Sequence, residues 1–86
     1  MKGGEAMYLD SVLIGQELKS LRDKRKKTVV EASNDLGIHF NTLSKYEKDA
    51  KDMSLELLEK ALKYYEVDEL IFFKVIREYN HNLKQN

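Results

Sequence analysis

The sequence predicts an all-α domain of five short helices, two of which form a tight hairpin at about residues 28–47. Three observations carry that expectation. Residues 28–46, TVVEASNDLGIHFNTLSKY, read as two short helices joined by one glycine. Capping residues recur ahead of apolar stripes with i, i+3 and i+4 spacing: Asp10 or Ser11, Thr28, Ser54 and Asp68. With 86 residues, 42% of them hydrophobic and 35% charged, the chain has the size and balance of a single globular helical domain.

The elements follow in order. Residues 1–8 contain Gly3-Gly4 and show little periodicity, so they are expected to form a flexible tail ahead of a domain at 9–67. Asp10 or Ser11 starts a first helix running to about Lys26, with Ile14, Leu18 and Leu21 on its buried stripe and Val12 or Leu13 at its entry. Thr28 and Glu31 make a capping box, in which the hydroxyl accepts from a first-turn N–H and the carboxylate reaches back to the cap. Val29, Ala32 and Leu36 then face inward, and Gly37 supplies the left-handed residue that ends this second helix. Ile38 plugs the gap before a third helix at 39–47, whose Leu43 and Tyr46 face the core. That leaves His39, Phe40, Asn41, Thr42, Ser44 and Lys45 on the outer face and its margins.

Lys48 to Asp52 is a polar loop, after which Ser54 caps a fourth helix with Leu55, Leu58, Ala61, Leu62 and Tyr65 as its core stripe. Asp68 caps a last helix that fills most of residues 68–86. Its Leu70, Ile71, Phe72, Phe73, Val75, Ile76 and Tyr79 cover more than one face, which exceeds what packing on a four-helix domain requires. A homodimer covers the excess economically, with Leu70, Phe72, Phe73, Ile76 and Tyr79 at the interface. Membrane attachment explains it less well, because Lys74, Arg77 and Glu78 interrupt the run and no polybasic flank accompanies it.

Charge points two ways. The 15 basic residues balance the 15 acidic ones, whereas a phosphate-binding domain is usually basic overall. The distribution is uneven, however. Residues 17–27 carry an excess of four positives, in Lys19, Arg22, Lys24, Arg25, Lys26 and Lys27 against Glu17 and Asp23. Residues 54–69 carry an excess of three negatives. One basic face is compatible with a nucleic-acid partner, although a run such as Lys24–Lys27 also suits a solvated helix C-terminus.

Other functions find no support. The chain has no cysteine, hence no disulfide framework and no thiolate metal site, and His39 and His81 alone make no zinc centre. No nucleophile paired with a base and no glycine-rich phosphate loop is present, so neither an enzyme nor a cofactor is expected. No apolar run approaches the ~18 residues of a membrane span, and no signal peptide is evident, so a cytoplasmic protein is expected.

The ordered set Ile14, Gly15, Leu18, Leu21, Arg22, Thr28, Glu31, Ala32, Leu36, Gly37, Ile38, Thr42, Leu43, Ser44, Glu47, Ser54, Leu55, Glu56 and Leu58 resembles the lambda-repressor-like (Cro-type) helix-turn-helix DNA-binding family. The resemblance spans about the middle half of the chain. It implies a five-helix domain that inserts the 39–47 helix into the major groove of double-stranded DNA and acts as a transcriptional regulator, a small phage-type or mobile-element repressor being the plainest form. It also implies an Arg22–Glu47 bridge that pins the first helix to the recognition helix. DNA contacts are then expected from Thr28, Val29, His39, Phe40, Asn41, Thr42, Ser44, Lys45 and Lys48.

Departures from the family pattern sharpen these expectations. Lys26-Lys27 stand where a glycine is common before the cap, so a lysine has to take any left-handed conformation there. Val29 replaces a frequent glutamine and cannot donate a side-chain hydrogen bond to the DNA backbone. The loop KDAKD lacks the usual glycine and proline, and its Asp49 and Asp52 repel phosphate while Lys48 and Lys51 attract it. His39 stands at a position where serine or threonine caps, and Phe40 at one usually polar. Phe40 has two readings: it packs on a thymine methyl or sugar, or it folds onto the core or meets a protein partner. The rival function is accordingly a protein-interaction module, or an antitoxin-type regulator that grips a protein partner as well as DNA.

Overall fold

The computed structural model describes residues 10–85, so the tail expected at 1–8 lies outside the described residues. Five helices follow one another: α1 (Ser11–Lys24), α2 (Val29–Leu36), α3 (Phe40–Lys48), α4 (Leu55–Tyr64) and α5 (Glu69–Gln85). Among the described residues there is no strand.

Short-range chemistry sets the starts. The Asp10 carboxylate accepts from the N–H groups of Val12 and Leu13 at 2.8 and 3.2 Å, which begins α1. Thr28 and Glu31 form the full capping box, Glu31 N–H donating to Thr28 Oγ1 at 3.0 Å and Thr28 N–H to Glu31 Oε1 at 2.9 Å. The Ser54 hydroxyl accepts from Leu57 N–H at 3.0 Å, and Asp68 accepts from Leu70 and Ile71. Each such cap is worth about 1 kcal/mol.

Three of the ends share one device. After α2, Gly37 adopts φ +77° while Ile38 N–H reaches back to Ser33 O and Gly37 N–H to Asn34 O, the paired bonds of a left-handed helix stop. After α1 and α4 the same paired bonds form around residues that are not glycine, Lys26 at φ +57° and Glu66 at φ +61°. α1 therefore ends at Lys24, two residues short of the expected boundary.

The core is built from all five helices, with Leu18, Leu36, Leu43, Leu62, Tyr65, Phe72 and Ile76 almost completely buried. Ile38 packs against it from the α2–α3 turn. α1 and α3 approach closely at Gly15: a Cβ there would collide with the carbonyl oxygen of Tyr46 and stand 2.8 Å from that of Glu47. The loop after α3 is tied to the start of α1 by Ala50 N–H donating to Ser11 O at 3.0 Å.

Several expectations need correction. Tyr46 is only half-buried, and the residue that goes inward with Leu43 is Glu47, because its carboxylate has a cation to meet. Leu55 is 64% exposed, since it opens α4 ahead of the turn that touches the core. On α5, Phe72 and Ile76 are 1% and 0% exposed and belong to the chain's own core, so they are withdrawn from the dimer face. Leu70 (81%), Ile71 (61%) and Tyr79 remain exposed on that helix, with Phe73 half-buried beside them.

Candidate functional site

α3 is held rigidly from behind. Arg22 Nε donates to Glu47 Oε2 at 2.8 Å and Nη2 to Oε1 at 3.0 Å, a two-pronged pair with both side chains buried. Arg22 Nη1 also donates to Lys27 O at 2.9 Å, so one guanidinium joins α1, the α1–α2 turn and α3. The hydrogen bond to Glu47 raises the Arg22 pKa still further against the opposing effect of burial, so the guanidinium keeps its charge. Behind it lies the Tyr65 hydroxyl, buried and without a hydrogen-bond partner. Burial, and then the nearby Glu47 carboxylate, push that phenol up to about 12.

With Leu43 and Glu47 facing inward, helical geometry turns residues 41, 44, 45 and 48 outward. Asn41, Ser44, Lys45 and Lys48 line a shallow groove together with Asp49 and Lys51. A second groove runs where α1, the start of α2 and α3 converge, lined by Gln16, Lys19, Arg22, Val29, Ser44, Glu47 and Lys48. Ser44 and Lys48 belong to both, so the two form one continuous surface. Of the expected contact residues, Val29 is the half-buried wall of the second groove. Thr28 is exposed at its cap, its oxygen accepting from Glu31, which leaves the hydroxyl proton available to an outside acceptor. Thr42 is half-buried and lines neither groove.

His39 and Phe40 stand at the start of α3. His39 Nδ1 accepts the N–H of Asn41 at 3.1 Å, taking the capping role of a serine. The Phe40 ring is 46% exposed and stacks on the imidazole, with centroids 4.6 Å apart and planes at 25°. Folding back onto the core, one of the two readings of Phe40, is therefore not what the side chain does.

The electrostatics are mixed. Lys45 Nζ lies 3.8 Å from Asp52 Oδ2 and 5.7 Å from the centre of the Tyr46 ring, so its charge is partly countered at rest. The Asp49 carboxyl is held below the usual carboxylate range by a hydrogen bond from Ser11. Half of the basic run at 17–27 has internal work: Arg22 in its buried pair, Arg25 donating from Nε to Tyr65 O at 3.0 Å, and Lys27 at 3.8 Å from Asp35. Of the other half, Lys19 lines the second groove beside the buried Arg22. Gln16 and Lys19 are the site residues that sequence reasoning missed. Their i, i+3 spacing, in register with Gly15 and Arg22 on the face that meets α3, was the available signal.

No helix among the described residues is long and apolar enough to cross a membrane. Comparison with known proteins adds one positive finding. A family model described as Helix-turn-helix matches residues 18–72, well over half of the chain, including all of α2 and α3. No curated protein and no solved structure gives a match.

Proposed function

Because this chain belongs to the lambda-repressor-like (Cro/C1-type) helix-turn-helix family, and is in that general sense a DNA-binding transcription regulator, we propose that it binds double-stranded DNA sequence-specifically by laying α3 in the major groove. The observation that carries this reading is the outward stripe Asn41, Ser44, Lys45 and Lys48, polar or cationic and unused by the core. An asparagine pairs with an adenine edge, lysines with guanine or phosphate, and a serine with either. Lys19 and Thr28 flank the stripe at the height of the backbone, where a lysine and a helix-start hydroxyl suit phosphate.

The active form is a homodimer joined through α5, with Leu70, Ile71, Phe73 and Tyr79 as its apolar face. Two exposures support this choice, Leu70 at 81% and Ile71 at 61%, on a helix whose Phe72 and Ile76 are buried in the chain's own core. A two-fold axis there sets two copies of α3 against half-sites about one DNA turn apart. A dimer seated on a promoter in the cytoplasm blocks transcription, and repression of phage or mobile-element type is the role we assign. A protein partner is the second reading, favoured by the Lys45–Asp52 contact and the zero net charge.

The test is a titration against duplex fragments, beginning with the region upstream of the protein's own gene, at two salt concentrations with excess competitor. Binding that survives competitor and is abolished by Asn41→Ala with Lys45→Ala supports the reading. Failure of every fragment at both salts overturns it and moves the interaction module ahead.

A further inference from the structure

His39 and Phe40 are the two residues of the α3 entrance that the family pattern does not anticipate, and their geometry restricts what they can recognise. The imidazole accepts a backbone N–H at Nδ1, so that nitrogen carries no proton and the ring's single N–H is at Nε2. The cap therefore turns His39 into a pure donor on its outer side. Phe40 stacks on that ring with centroids 4.6 Å apart and remains 46% exposed, which sets an accessible apolar surface beside the donor. Neither side chain is needed by the core, and both are exposed.

We propose that His39 and Phe40 act as one reading unit for a purine beside a thymine: Nε2–H donates to the purine N7, and the Phe40 edge covers the neighbouring thymine 5-methyl. This rests on the reading of α3 as the groove-entering helix. The first residues of such a helix meet base edges, purine N7 is an acceptor on the major-groove side, and thymine is the base that presents a methyl there. A donor and an apolar edge locked side by side match those two neighbouring features. Cytosine N4–H₂, being a donor, is rejected by the His39 donor.

The experiment uses the full chain and a duplex that it binds, with single-atom changes in the DNA: deoxyuridine for each thymine, and a 7-deaza analogue for each purine. One deoxyuridine and one adjacent 7-deazapurine should each weaken the wild-type chain on the order of tenfold. Phe40→Ala should be weakened overall and become indifferent to that deoxyuridine. His39→Ser, which retains a capping side chain, should become indifferent to that 7-deazapurine. Variants that keep the wild-type response to both analogues overturn the proposal, as does a wild type that ignores every analogue. If instead His39→Ser lowers the salt dependence of binding by about one phosphate contact with no response to 7-deaza bases, His39 grips the backbone and the proposal is wrong. In all these cases Asn41→Ala with Lys45→Ala still abolishes binding, so the reading of α3 stands; loss of binding to every duplex would remove both.

Discussion

Glu47 is the carboxylate on which the placement of α3 depends, and its value lies in its partner. Removing it leaves Arg22 buried and uncompensated, so Glu47→Ala should destabilise the domain by about 3–5 kcal/mol, read as a lower urea midpoint. Arg22→Met with Glu47→Leu should recover part of that loss, since a packed apolar pair of similar volume replaces the ion pair. Tyr65 is a contrasting case: its hydroxyl is buried with nothing to bond, so Tyr65→Phe should leave stability unchanged or raise it by up to about 1 kcal/mol. The alkaline limb tests the same environment. The phenols of Tyr64 and Tyr65 are both raised to about 12, the first by burial and its bond to Asp35, the second by burial and Glu47. Their contribution to stability should therefore be level below pH 10 and fall between pH 10 and about 12, where the unfolded chain releases those protons and the folded one retains them. At this scale the sequence was legible where partners are close along the chain. Thr28 and Glu31 are three residues apart and were readable as a capping box. Glu47 went inward in place of Tyr46 because of a cation 25 residues away, which periodicity alone does not register.

Between elements, the geometry turns on the α1–α3 contact. Alanine is the better helix former by about 1 kcal/mol, yet Gly15→Ala should be destabilising by about 1–3 kcal/mol net, because the new methyl meets main-chain oxygens that cannot rotate away. The same variant should weaken DNA binding more than its stability loss explains, since α3 is displaced from behind. Lys26→Gly should act in the other direction. It relieves a non-glycine residue at φ +57° and should raise the melting temperature by a few degrees, at most about 1 kcal/mol. That left-handed lysine was anticipated through the resemblance, in which a glycine is common where this chain has Lys26-Lys27. The partition of α5 was not. Its apolar residues cover more than one face, and packing against α1 selects Phe72 and Ile76 for the interior, a choice set by tertiary contact and invisible in the pattern. Leu55 shows the same limit, falling on the stripe by spacing but ahead of the packed turn in space.

For the whole molecule, the zero net charge and the DNA-binding family are compatible because the charges are sorted. Several cations of the 17–27 run stabilise the fold internally, while Lys19, Lys45, Lys48 and Lys51 gather around α3. Few phosphate contacts follow from so small a set, so non-specific affinity should be weak and specificity should rest on base edges. The proposed dimer belongs to this scale as well. Leu70→Lys with Ile71→Lys should convert a dimer into a monomer in sedimentation, and should cost at least about tenfold in affinity for a two-half-site duplex through lost effective concentration, with a single half-site unaffected. The orientation of α3 toward DNA is the central claim, and backbone amide chemical shifts followed as a bound duplex is added test it most directly. The account predicts large shifts at Asn41, Ser44, Lys45 and Lys48, with Lys19 and Val29 at the margin and the α4 surface around Glu56 and Glu59 unchanged. Shifts centred on α4 or on the outer face of α5, with α3 silent, would contradict it.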